Sequence, residues 1–194
     1  KSIHFEQKIL NEAVGSQDQI AASYGGFNKL IFKPGGDFNV YPISAQKQTL
    51  QKLNKDLLLV YTGIKRTAYD IARSYINKLQ KTKKSHILEI ESFAREGEKI
   101  LKSGNLNDFG KLLHESWLEK KSLSPGITNS SIEKIYNNAI KSGATGGKLL
   151  GAGGGGFFLF YVPYFRQKYF IKYFRKLITI PFEFSSEGSK ILFK

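Results

Sequence analysis

The sequence has no cysteine and no methionine among its 194 residues. Without a thiol there can be no disulfide, no thiolate metal site and no cysteine nucleophile. Methionine is missing even at position 1, where Lys1 stands, so we expect the chain to be the later part of a longer protein. Long apolar runs are lacking too. Nothing approaches the roughly 20 apolar residues of a membrane-crossing helix, and Lys1 to Gln7 lacks the apolar core of a signal peptide. A cytoplasmic protein without a membrane partner is the default expectation. The three histidines, His4, His86 and His114, have no metal-ligand spacing and read as structural.

Negative charge is scarce, with 16 Asp and Glu against 30 Lys and Arg and a net charge of +14. Such a balance suits an anionic partner, whether nucleotide, sugar phosphate or nucleic acid. Compositional drift accounts for it equally well, because the lysines are scattered singly or in pairs such as Lys83-Lys84 and Lys120-Lys121. What the chain does have is core material, 41% hydrophobic and 13% aromatic residues, enough for one good-sized domain or one domain plus part of another.

Apolar spacing predicts a helix over residues 1 to 24, stopped by Gly25-Gly26, and then a hairpin of Lys29–Lys33 and Phe38–Ile43 around Pro34-Gly35-Gly36-Asp37. Leu57 to Tyr61 is an unbroken apolar run, expected to be a strand buried on both faces. Helices follow. One carries Tyr69, Ala72, Arg73 and Ile76, and a second Ile87 to Leu101, closed by Gly104. A third is capped by Asn105 or Asn107 and a fourth by Asn129 or Ser130. Strands are expected at Lys148–Leu150, Phe157–Val162, Thr179–Phe184 and Lys190–Phe193, with a helix from Pro163 to Leu177. This order predicts an α+β fold with helices packed on one antiparallel sheet.

Gly151-Ala152-Gly153-Gly154-Gly155-Gly156 stands between two apolar strands. Four successive glycines cost unfolded-state entropy, and such a loop lets another backbone or an anion approach closely. A dinucleotide fingerprint at Gly151, Gly153 and Gly156 is excluded because a strand follows instead of a helix. A P-loop is excluded by Ser142 and Leu149 where glycine and Ser or Thr are needed. Asp18, in Gly15-Ser16-Gln17-Asp18-Gln19, reads either as a surface or capping aspartate or, if buried, as a base or metal ligand. Arg66, after Tyr61-Thr62-Gly63-Ile64-Lys65, reads either as a phosphate clamp or as part of a solvated helical turn. Lys168, Lys172, Arg175 and Lys176 mix with Tyr169, Phe170, Tyr173 and Phe174. Aromatics in the core with cations facing solvent are expected there, rather than a surface stacking on single-stranded nucleic acid.

Together these motifs resemble the GHMP kinases. Lys148 to Phe157 is similar to that family's glycine loop, and Gly15 to Gln19 to the stretch carrying its catalytic aspartate. Tyr24-Gly25-Gly26-Phe27-Asn28, Tyr61-Thr62-Gly63 with Arg66, and Leu113-His114-Glu115 with Trp117 and Lys121 resemble the heptose 7-phosphate kinases within it. The family's phosphate loop appears nowhere in the chain. The resemblance implies that residues 1–45 are the end of a ribosomal-S5-like amino-terminal domain, and residues 46–194 a ferredoxin-like carboxy-terminal domain. It implies an ATP- and Mg²⁺-dependent sugar-1-kinase with Asp18 as base. Gln17, Thr62, Gly63 and Arg66 would hold the sugar or its phosphate, and Gly151, Gly153, Gly154, Gly155 and Gly156 would line the cleft. Partners would be a sugar phosphate, ATP and the missing amino-terminal part, with a homodimer as one option and without nucleic acid. The alternatives are a galactokinase- or fucokinase-like enzyme and a non-catalytic remnant.

Overall fold

The computed structural model describes residues 1–11, 15–65 and 84–192. The chain forms two compact units, Lys1–Ser44 with Glu183–Lys194, and Ala45–Phe182.

In the first unit a short helix α1 (Ser2–His4) runs into a π-helical turn (Phe5–Ile9), and α2 (Gln17–Tyr24) starts afresh after Ser16. The unbroken helix predicted over residues 1 to 24 is therefore interrupted. Asn11 takes a left-handed φ of 53°, and Gly15 and Ser16 favour leaving the helix over continuing it. Strands β1 (Asn28–Phe32) and β2 (Phe38–Pro42) form the expected antiparallel hairpin, with Phe32 opposite Phe38.

The end of α2 is tied to the carboxy-terminal segment. The Gly26 amide donates to the Ser185 carbonyl at 2.8 Å, and the Ser189 amide to the Ala22 carbonyl at 3.1 Å. Phe184 sits edge-on to Phe27, centroids 4.6 Å apart, and Gly188 lies against Ser23 with no room for a Cβ. These residues form no strand, contrary to the expectation for Lys190–Phe193, of which Phe193 lies outside the described residues. The segment's backbone bonds to the helix end run through the Ser185 carbonyl and the Ser189 amide, and no sheet ladder forms.

The second unit contains α3 (Lys47–Asp56), β3 (Leu57–Tyr61), α4 (Lys84–Ser103), α5 (Phe109–Ser122), α6 (Ser130–Lys141), β4 (Gly146–Leu149), β5 (Phe157–Tyr161), α7 (Tyr164–Tyr173) and β6 (Thr179–Ile180). The four strands make an antiparallel sheet in the order β4-β5-β3-β6. The predicted helix around Tyr69 to Ile76 lies outside the described residues. The caps are as the side chains dictate. Asn105 Oδ1 accepts from the Asn107 amide at 3.2 Å ahead of a 3₁₀ turn, and Asn129 Oδ1 from the Ile132 amide at 3.0 Å at the start of α6.

Strand alternation puts Leu58 and Val60 of β3 beside Phe160 and Phe158 of β5 on one face. There they meet Trp117 of α5, Tyr136 of α6 and Phe170 of α7. Every one of these residues is buried, which makes this the core. Leu59 and Tyr61 on the other face are only half-buried, so β3 is not sealed on both sides as its continuous apolar run suggests. Helix α3 was not foreseen. Thr49, Leu53 and Asp56 form its buried face at helical spacing, and the Asp56 carboxylate accepts from Lys52, the Tyr161 hydroxyl and the Tyr164 amide. A buried carboxylate with that many donors ties α3 to β5 and α7.

Candidate active site

The glycine loop joins β4 to β5, and its geometry follows from the helix beside it. Gly146 of β4 lies against the backbone of Gly110 of α5, where a Cβ would fall 1.7 Å from the Gly110 carbonyl oxygen, and a Cβ on Gly110 would strike the Thr145 side chain. From that point α5 advances about 15 Å over ten residues, and β4 with the two residues that follow it covers roughly the same distance. Lys120 therefore arrives where β4 ends. Its ammonium donates to the carbonyls of Leu149 at 2.8 Å and Gly151 at 2.5 Å, gripping the start of the loop. Midway, Lys148 Nζ donates to Ser116 Oγ at 2.7 Å. Burial pushes the Lys120 amine down to about 8, helped by the like charge of Lys148, and burial lowers Lys148 as well.

The far side of the loop rests on two other segments. The Gly154 amide donates to the Ile127 carbonyl at 2.8 Å, and the Gly156 amide to the Ile64 carbonyl at 3.2 Å. The Gly156 carbonyl accepts from both the amide and the hydroxyl of Thr62, each at 2.9 Å. Thr62 Oγ1 in turn accepts from the Ile64 amide at 3.2 Å. Gly155 lies so close to this segment that a Cβ would fall 2.5 Å from the Ile64 carbonyl oxygen. The glycines thus serve close backbone approach, one of the two roles their run suggests.

Of the residues singled out from sequence, Thr62, Gly63 and Gly151 to Gly156 come together in the second unit. Thr62 is buried and its one hydroxyl hydrogen is spent on Gly156, so toward a ligand it can offer only an acceptor. Gly63 is exposed, with a φ of 74°. Among the described residues the amides of Ala152, Gly153 and Gly155 find no acceptor, leaving them as donors for an anion. Arg66 lies outside the described residues. Gln17 and Asp18 stand in the first turn of α2, both exposed, on the helix that the carboxy-terminal segment holds. Among the described residues no group of His, Asp and Glu is arranged to hold a metal.

The sequence reading missed Lys120, Ile64 and Ile127 as parts of this loop's framework. Lys120 had a detectable signal, since it follows Trp117 on a helix whose apolar residues fix its orientation, but a paired lysine reads as surface charge. The contributions of Ile64 and Ile127 are carbonyls, and a carbonyl has no sequence signature.

Comparison with known proteins gives the arrangement its relatives. Residues 98–169 match the family model described as GHMP kinases C terminal. The chain is 33% identical over 188 residues to the D-glycero-alpha-D-manno-heptose 7-phosphate kinase of Campylobacter jejuni, covering 95% of this chain and 56% of that protein. It is 29% identical over 158 residues to a bifunctional fucokinase/GDP-fucose pyrophosphorylase of Arabidopsis thaliana, covering 79% of this chain and 15% of that one. The crystal structure of a D-glycero-D-manno-heptose 1-phosphate kinase from Bacteroides thetaiotaomicron superposes with a TM-score of 0.68 at 25% identity, over 97% of this chain and 53% of that one. The chain thus spans about half the length of its heptose kinase relatives.

Proposed function

We propose that this chain, which carries a GHMP kinase C-terminal domain, belongs to a kinase that transfers the γ-phosphoryl group of ATP to the anomeric hydroxyl of D-glycero-D-manno-heptose 7-phosphate. The observation that carries the reading is the 33% identity to a heptose 7-phosphate kinase along 95% of the chain. A match of that extent takes in the Asp18 segment as well as the glycine loop.

In this reading Asp18 takes the proton of the anomeric hydroxyl as its oxygen attacks phosphorus. An exposed carboxylate in the first turn of a helix suits a base that must meet a substrate. Phosphoryl transfer depends mostly on positioning and on neutralising charge. Mg²⁺ on the nucleotide would supply part of that neutralisation. The free amides of the glycine loop would donate hydrogen bonds to phosphate oxygens. Gln17, Gly63 and Arg66 would contact the sugar or its 7-phosphate, and Thr62 would hold Gly63 and the loop in register. The product suits a pathway to nucleotide-activated heptose for surface polysaccharide, in the cytoplasm.

The test is a substrate panel with the complete gene product: heptose 7-phosphate, fucose, galactose and mevalonate, each with MgATP. Turnover of heptose 7-phosphate at a kcat/KM at least 100-fold above the others is expected. Turnover of fucose or galactose instead would assign a sibling activity, and no nucleotide binding at all would make the chain a non-catalytic relative.

A further inference from the structure

Helix α7 departs from the sequence expectation in one respect. Phe170 and Phe174 are buried, as expected, but Phe165, Tyr169 and Tyr173 are 79%, 63% and 48% exposed. These three recur every fourth residue and so form one stripe along the helix. Between and beside them stand Arg166, Lys168, Lys172, Arg175 and Lys176, and residues 162–182 contain no Asp or Glu.

The stripe runs into a cleft. Its walls are Ser131, Lys134 and Asn138 of α6, one face of that helix by their spacing, Tyr173 at the end of α7 and Arg175 and Lys176 just past it, together with the apolar Ile135, Phe174 and Leu177. The cleft has a volume of about 430 Å³, within the range of small-ligand pockets. No carboxylate lines it, and among the described residues none pairs with Lys134, Arg175 or Lys176. Cations at the end of α7 complement its dipole, but that explains neither the cation contributed by α6 nor a large ring left in water.

We propose that this cleft binds a nucleotide, its phosphate held by Lys134, Arg175 and Lys176 and its base stacked on Tyr173. Guanidinium and ammonium groups suit a phosphate ester, Ser131 and Asn138 supply neutral hydrogen bonds, and an exposed aromatic face stacks on any base. The site is separate from the glycine loop and does not depend on the kinase reading. The same chemistry can be presented by a free nucleotide or by one nucleotide of a single strand, in which case Tyr169 and Phe165 continue the stacking surface.

The experiment is titration of the 194-residue chain with ADP, inorganic pyrophosphate and an eight-nucleotide thymidine strand, followed by backbone amide NMR. ADP should shift the amides of residues 131–138 and 173–177. Its affinity should fall as the salt is raised from 50 to 200 mM, because the ions screen the cations from the phosphates. Arg175→Glu with Lys176→Glu should weaken it at least tenfold, and Tyr173→Ala should weaken ADP but not pyrophosphate. Tighter binding of the strand than of ADP, lost in Tyr169→Ala, would identify a single strand as the source. Shifts confined to residues 150–156, pyrophosphate binding as tight as ADP, or binding only to anionic phospholipid vesicles would overturn the proposal.

Discussion

The Thr62 hydroxyl and the Thr62 amide both donate to the carbonyl oxygen of Gly156, each at 2.9 Å, so one residue at the end of β3 holds the end of the glycine loop twice over. Thr62→Val keeps the shape and the amide bond but removes the hydroxyl, which also leaves the Ile64 amide without its acceptor. A loss of about 1–3 kcal/mol of stability is expected, the cost of a buried polar group left unpaired. Urea unfolding checks it. The midpoint should fall without a change in slope, and Thr62→Ser should recover most of the loss.

Two alanine substitutions in the same loop should behave differently. At Gly155 a Cβ would meet the Ile64 carbonyl at 2.5 Å, so the loop must move away from residues 62–64. At Gly151 the φ is 67° but the space around the Cβ is open. Gly151→Ala should therefore cost about 1–2 kcal/mol, the penalty of a left-handed conformation alone. Gly155→Ala should cost more and also raise amide exchange at Ile64 and Gly156. Equal effects would mean that the close approach carries no energy.

The buried amine of Lys120 makes stability depend on pH. Its folded value of about 8 lies below the ordinary lysine value of 10.5, so the unfolded chain binds more protons between those limits. Stability contributed through Lys120 therefore rises as the pH climbs from about 8 toward 10.5, because the penalty for burying its charge is relieved. Measured against Lys120→Met, whose side chain does not titrate, the wild-type chain should gain in thermal midpoint over that interval. A difference that stays constant with pH would show that the amine is not buried at the loop.

Asp18→Asn in the complete gene product should lower kcat by about 100-fold or more while leaving ATP affinity unchanged, the signature of a lost general base. Steady-state kinetics alongside nucleotide titration makes the distinction. Unchanged kcat would remove Asp18 from the chemistry.

Much of this molecule was legible in its sequence because the signals are local. The Pro34 to Asp37 turn, the Asn129 cap and the apolar run from Phe157 each act over a few residues, and each produced the expected element. The glycine loop stood out for the same reason. What escaped was long-range. Nothing in residues 183–192 announces that their backbone will bond to the end of α2 instead of forming a last strand. Lys120 reads as one of many surface lysines until α5 is laid against β4. The exposed rings of α7 were misread because helical periodicity marks which residues share a face, not whether that face is covered. Thr62 carries a ligand-like residue type, yet its donor is consumed by the protein itself.

The most direct measurement is phosphorus NMR of the product made by the complete protein from heptose 7-phosphate and MgATP. The expected spectrum gains one new phosphate ester resonance coupled to the anomeric proton, with the 7-phosphate signal retained. No new resonance, or one coupled to any other sugar proton, would contradict an enzyme that phosphorylates the anomeric hydroxyl.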